Sequence, residues 1–428
     1  MVQENNFNLV HEEKIYIEKL AARAKQASVQ LRDINTKQKN EALLRLADFI
    51  DDKKTEIVNE NSQDIENAQI NGLSQAMIDR LLLNDKVINS MIKSLHEIIA
   101  LTDPVGSIIE GRNLPNGLNL KKIRIPIGVV AIIYESRPNV TIDVGALAVK
   151  SSNAVILRGG KEAILSNRIL SLLFQKALSQ AKLPADAVCF VEKPQRQLLY
   201  GLLQLKDDID IIVPRGGEGL ISFVAKHSLI PVVKHDKGVC HVYIHSSAKK
   251  EMAISVLINS KTHRPGVCNA AETLIIDKNW PHYKDALSAL LDAGVKLYAD
   301  KKTKEILSDF DIHDLTEEGY NKEYLSMDIS VKIVENCSQA VQHIQTYTSQ
   351  HSEAILAEDI SAINEFEKKL DSAAIFINCS TRFHDGGQFG MGAEVGIATG
   401  KLHVRGPMGL SDLTTMKYVV SGEGQIRE

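Results

Sequence analysis

From about Glu12 to Leu101 apolar residues recur three or four positions apart with charges between them, as in "EALLRLADFI" (Glu41–Ile50) and "MIKSLHEIIA" (Met91–Ala100). That spacing gathers apolar side chains on one stripe of a helix, so a helical layer is expected, closed by Pro104. At Ser107 the period changes. "SIIEGRNLPNGLNLKKIRIPIG" holds two β-rich runs around Asn116-Gly117, a strong short-range hairpin signal. A long hairpin leaving the body exposes edge strands that need a partner. Residues 108–125, with 403–428 as a return segment, are therefore expected to form an oligomerisation arm of a homo-oligomer.

Short apolar runs then alternate with amphipathic helical stretches: "GVVAIIY", "NAVILRG", "AVCFVE", "IDIIVP", "IPVVK" and "CHVYI". Beyond Cys268 a second series follows, in "AETLIID", "LDAGVKLYAD", "MDISVKIV", "HSEAILA" and "SAAIFIN". Strands alternating with helices predict parallel sheets covered on both faces, hence α/β with two doubly wound domains. Residues 1–107 and 126–260 are expected to form a nucleotide-binding domain, and 261–385 a domain carrying a thiol.

The 428 residues exceed what one core usually organises, which agrees with two domains. With 50 Lys+Arg against 54 Asp+Glu the net charge is −4, so there is no overall footprint for nucleic acid or anionic membrane, and a small-molecule partner is expected. The N-terminus lacks a signal-peptide pattern and "IGVVAIIY" is too short to span a bilayer, so a cytoplasmic protein is expected. The five cysteines are odd in number, scattered and never paired as CxxC, against both a disulfide framework and a zinc site. His235, Asp236, Cys240 and His241 fit no common metal spacing, and no metal is expected.

Two glycine turns stand at strand ends. "IIVPRGGEGLISFVAKH" places Gly216 and Gly217 before an amphipathic helix, where backbone N–H groups and the helix N-terminus can meet a pyrophosphate; lacking the GxGxxG spacing, it reads equally as a plain turn. "ILRGGKEA" puts Arg158 and Lys161 where cations can meet a ribose phosphate, although a lone arginine is more often a solvated surface residue.

In "KTHRPGVCNAAETLIID" (Lys261–Asp277), Cys268 follows an Arg-Pro-Gly turn, with His263 and Arg264 upstream and Asn269 beside it. It reads either as a buried structural thiol or as a nucleophile kept ionised by positive charge or N–H donors. The polarity of the stretch argues for the nucleophile, and an ionised sulfur is expected.

"IYESRPNVT" (Ile133–Thr141), "RPGVCNAAETL" (Arg264–Leu274), "AVQHIQTYTSQHSEAI" (Ala340–Ile355) and "GMGAEVGIATGKLHVRGPMGLSDLTTMKYVVSGEGQIR" (Gly390–Arg427) resemble the aldehyde dehydrogenase superfamily, and within it the gamma-glutamyl phosphate reductase (glutamate-5-semialdehyde dehydrogenase) family. The resemblance runs from about Ala21 to Arg427; Thr348 departs from the usual Gly or Ser.

It implies an aldehyde dehydrogenase-like fold and reduction of L-glutamyl 5-phosphate by NADPH to L-glutamate 5-semialdehyde and phosphate, in proline biosynthesis. Cys268 matches the nucleophile that forms a thioester, reduced through a thiohemiacetal. The Cys268 N–H and a side chain of Ser136 or Asn139 would face the oxyanion. Arg158 matches a ribose-binding lysine and would fork the NADPH 2′-phosphate beside Lys161. Glu323 matches the glutamate that holds the nicotinamide ribose, and Arg215-Gly216-Gly217 the pyrophosphate turn. Arg137, Arg264, Arg382 and His351 are the candidates for substrate carboxylate and phosphate, with no roles read for Tyr347, Ser352 and Glu353. Where hydrolytic relatives carry a water-activating glutamate, "KHDKGVCH" offers His235. Some relatives are fused to a glutamate kinase; this length leaves no room for one, so the glutamate 5-kinase is expected to be a separate protein, a candidate for contact that the sequence itself does not establish. A non-phosphorylating dehydrogenase, a cofactor-free thiol acyltransferase and a scaffold that lost its chemistry are the competing readings.

Overall fold

A computed structural model describes residues 9–234 and 237–427. Five helices open it: His11–Leu31, Thr36–Asp52, Lys54–Ile70, Gln75–Leu81 and Asp85–Ala100. Asn35 caps the second by accepting from the Gln38 N–H, and Gln38 returns the bond to the Asn35 N–H. Its buried stripe, Ala42, Leu43, Leu46, Ala47 and Ile50, follows the three-to-four spacing of the sequence. The layer packs onto the first sheet in one continuous core. Lys39, buried there, meets the Asp103 carboxylate at 2.7 Å and the Lys150 carbonyl at 3.2 Å. Removing either charge of such a buried pair typically costs about 3–5 kcal/mol, because the other is stranded.

The first sheet has four parallel strands in the order Val188–Phe190, Ala154–Arg158, Val129–Tyr134, Ile211–Arg215. Val129–Tyr134 is buried along its whole length, as a strand covered on both faces should be. The second sheet has seven parallel strands, ordered Ile312–Asp314, Lys296–Ala299, Asp328–Val334, Ala271–Asp277, Cys240–Ile244, Ser352–Leu356, Ala374–Ile377.

Cys240–Ile244 corrects the expected boundary. Assigned by sequence order to the first domain, it lies inside the second sheet between Ala271–Asp277 and Ser352–Leu356, and helix Lys250–Thr262 packs there too through Ala253 and Leu257. The division between the sheets thus falls before Cys240 rather than at residue 260. The expected strand "IPVVK" contributes only an isolated bridge, Ile212 to Val232.

The hairpin forms as read. Ile108–Asn113 pairs antiparallel with Asn119–Pro126, and the turn passes through Gly117 at φ +85°, a conformation glycine adopts without strain. Thr414–Ser421 adds a third strand along Asn119–Pro126. The outer strands are exposed almost throughout and present Ile108, Ile109, Met416, Tyr418 and Val420 to solvent.

Candidate active site

In the first sheet, strands are added on one side of Val129–Tyr134 and then on the other, so the order reverses between Val129–Tyr134 and Ile211–Arg215. Open α/β sheets bind ligands outside the carboxyl ends of their strands at such a reversal. Glu135, Ser136 and Arg137 follow one of these two strands, and Gly216 and Gly217 follow the other. Cys268 lies on the loop between helix Lys250–Thr262 and strand Ala271–Asp277.

That loop is gripped from several sides. The Cys240 thiol donates to the Cys268 carbonyl at 3.1 Å, Thr381 Oγ1 donates to the Asn269 carbonyl at 2.7 Å, and Asn269 Nδ2 donates to the His384 carbonyl at 3.0 Å. Lys261, fully buried, ties the helix to the strand through the Ala271 carbonyl at 2.9 Å and Glu272 at 3.0 Å. Gly238 lies against the loop so closely that a Cβ there would sit 1.8 Å from the Cys268 carbonyl oxygen. Its N–H donates to Glu323 Oε1 at 2.8 Å, so one glycine touches both the thiol loop and the carboxylate expected at the nicotinamide ribose.

Burial works against the ionised sulfur that the sequence led one to expect. Cys268 is half-buried, and loss of solvent pushes its thiol up to about 11, against the pull of Arg215 and Arg137 and with Glu323 and Glu394 adding to the rise. Alkylation of Cys268 by iodoacetamide in the protein alone is accordingly expected to quicken by about tenfold per pH unit between about pH 7 and 9. A plateau below pH 9, measured by peptide mass spectrometry, contradicts this.

Around the sulfur the structure collects arginines. Arg215, Arg137 and Arg382 act electrostatically on or with Cys268, and Arg264 on both Arg137 and Arg382. Loss of solvent and then the charges of Arg215 and Arg80 bring the Arg137 guanidinium down to about 10. Arg382 is also lowered, first by burial and then by Arg264, and its buried Nε has no partner among the described residues. Such crowding of like charge is costly unless an anion joins it.

The remaining expected residues are spread more widely. Ser136, buried at φ +36°, gives both its N–H and its hydroxyl to Glu162 Oε1, at 2.8 and 2.7 Å, so that hydroxyl is committed. Asn139 begins helix Asn139–Lys150 and donates to Asp143 at 3.0 Å. Arg158 ends its strand, donates to the Pro194 carbonyl at 3.3 Å and stands near Glu162, Arg196 and Glu135; Lys161 is exposed beyond it. His351 is wholly buried, its Nδ1 2.7 Å from Ser352 Oγ and 3.7 Å from the Cys240 sulfur, in a polar layer beneath the thiol loop. His235 and Asp236 lie outside the described residues.

Sequence reasoning missed Glu394, held by the Gly386 N–H at 2.9 Å; Arg80, on helix Gln75–Leu81; and the bond from Cys240. Glu394 stood in a Gly-rich stretch already singled out, whereas nothing local marks Arg80.

The site suits a nicotinamide dinucleotide. Helix Glu218–His227 receives no cap from a side chain of its own N-cap, and its turn already accepts a carboxylate, that of Glu135 on the Gly217 N–H. Glu323 uses one oxygen on Gly238 and has no other hydrogen-bond partner among the described residues. A cleft of about 840 Å³ lies along that helix, with Lys226, Lys234, Lys237 and Lys401 on its walls; neither Cys268 nor Glu323 lines it. Among the described residues no group of three or more His, Cys, Asp or Glu could hold a metal, and no helix is long and apolar enough to cross a membrane.

Comparison with known proteins agrees with this geometry. Residues 6–306 match the model of the aldehyde dehydrogenase family. A gamma-glutamyl phosphate reductase of Leptospira biflexa serovar Patoc is 52% identical over 415 residues, 96% of this chain and 98% of the relative. One from Nautilia profundicola is 47% identical over 95% of this chain and 98% of its own. The crystal structure of a gamma-glutamyl phosphate reductase from Thermotoga maritima superposes with a TM-score of 0.94 at 41% identity, covering 96% of this chain and all of that one. An acetylating aldehyde dehydrogenase from Geobacillus thermoglucosidasius, 17% identical with a TM-score of 0.71 over 97% of this chain and 98% of that one, shares the fold.

Proposed function

From the chain's membership of the aldehyde dehydrogenase family, among the gamma-glutamyl phosphate reductases of proline biosynthesis, we propose that it reduces L-glutamyl 5-phosphate with NADPH, through a thioester on Cys268 and with release of phosphate. The observation that carries this reading is that the charges of Arg137, Arg215 and Arg382 all bear on one thiol, with Arg264 bearing on Arg137 and Arg382. A substrate with a phosphate at one end and a carboxylate at the other needs cationic partners at both.

The Cys268 thiol gives up its proton to solvent, its sulfur forms a bond to the acyl carbon, the bond from that carbon to the phosphate oxygen breaks, and phosphate departs with the bonding pair toward the arginines. The Cys268 backbone N–H faces the oxyanion. Asn139 is the better second donor, since the Ser136 hydroxyl is held by Glu162. NADPH, when bound, supplies the hydride that takes the acyl group to the aldehyde level. Glu323 orients the ribose next to the thiol loop through Gly238, and Arg158 with Lys161 receives the 2′-phosphate. No glutamate precedes Gly238 in "KHDKGVCH", where hydrolytic relatives carry the one that activates water. The exposed apolar strands Ile108–Asn113 and Thr414–Ser421 serve a homo-oligomer.

The test runs the reaction backwards. With glutamate semialdehyde, NADP and phosphate together, absorbance of the reduced cofactor should rise, and leaving out any one should stop it. Equal rates without phosphate, or with NAD in place of NADP, contradict the corresponding part of the proposal.

A further inference from the structure

Glu135 stands where an incoming pyrophosphate has to go. It follows strand Val129–Tyr134, its N–H donates to the Arg215 carbonyl at 3.2 Å, and its Oε2 accepts from the Gly217 N–H at 2.8 Å. Gly217 is the N-cap of Glu218–His227, a helix of 10 residues. A Cβ on Gly216 would lie 2.4 Å from the same Oε2, so glycine at that position is what lets the carboxylate lie across the turn. Arg158 also feels the Glu135 charge. The carboxylate thus rests on an N–H group at the positive end of a helix, partners a phosphate also seeks, and its charge reaches Arg158.

We propose that Glu135 is a resident competitor for the pyrophosphate seat and so sets the affinity for the dinucleotide; this rests on the cofactor reading above. Two like charges cannot share one helix end, so the side chain must leave before the pyrophosphate docks. The structure permits that movement. Glu135 is exposed, while Ser136 beside it is buried and fixed by two bonds to Glu162, so the side chain can rotate into solvent with the backbone unmoved. The measured affinity is then the intrinsic one reduced by the fraction of molecules in which the seat is open.

The test is a binding measurement without turnover. Dissociation constants for NADP and for 2′-AMP, which lacks the pyrophosphate, are compared by calorimetry at one ionic strength for the wild type, Glu135→Gln and Glu135→Ala. In Glu135→Ala, NADP is expected to bind about 2- to 5-fold more tightly, the range for removing one exposed charge from a helix N-terminus. 2′-AMP should tighten much less, since only the field of Glu135 on Arg158 reaches it, and Glu135→Gln, which keeps an oxygen for Gly217 without the charge, should fall between. Unchanged or weaker NADP binding in Glu135→Ala overturns the inference, as does equal tightening of 2′-AMP. A wild type that binds no dinucleotide overturns the cofactor reading itself and the inference with it, so the two failures are told apart.

Discussion

Cys268→Ser is expected to lower the rate of phosphate-dependent NADP reduction by about 10⁴-fold or more, with NADP affinity and melting temperature close to the wild type. The size follows from the role of the sulfur, since without it no covalent acyl-enzyme forms and the arginines orient a substrate that has no nucleophile to meet. The fold should survive because what holds the loop is mostly not the sulfur. Cys240, Thr381 and Asn269 act through the carbonyls of Cys268, Asn269 and His384. The residual rate measured against enzyme-free controls, with calorimetry for the cofactor, checks both halves. Turnover within tenfold of the wild type removes Cys268 from the chemistry.

Gly238→Ala is the second large effect, about 10²-fold or more in kcat. The new methyl carbon would need to share space with backbone: 1.8 Å to the Cys268 carbonyl oxygen, 2.6 Å to its carbon and 2.7 Å to its Cα. Backbone cannot rotate away as a flexible side chain can, so the thiol loop or the strand Cys240–Ile244 must shift. A displacement of about 1 Å at the reacting atom is enough for a loss of about 10² in rate. Gly238 also holds Glu323, so the same shift should loosen the nicotinamide end of the cofactor. The expected pattern is a lower kcat together with weaker NADP binding, unlike Cys268→Ser, where binding is retained. Full activity in Gly238→Ala means the loop tolerates movement and its close packing is incidental.

Much of this was legible in the chain. The Asn116-Gly117 hairpin could be read because its turn chemistry is local, and Cys268 could be singled out as a candidate because its loop departs in polarity from a structural cysteine. Strand Cys240–Ile244 was placed in the wrong sheet because the pairing of a parallel strand is settled by partners 30 and 110 residues away, which no local period records. "IPVVK" has the composition of a strand and meets one neighbour at a single bridge. The charge on Cys268 could not be read at all. It depends on how far burial outweighs Arg215 and Arg137, and on Glu394, which arrives from more than a hundred residues downstream. Likewise Ser136 looked free to donate until folding brought Glu162 to its hydroxyl.

The most direct test is to look for the acyl group on the sulfur. Wild-type protein is mixed with glutamyl phosphate made in place by a glutamate kinase and ATP, with no reduced cofactor present, then quenched in acid and digested. The peptide carrying Cys268 should gain the mass of one glutamyl group and lose it when NADPH is added before the quench. Turnover once NADPH is added, with Cys268 unmodified at every quench time before that addition, or a glutamyl group found on Cys240 instead, contradicts the proposal.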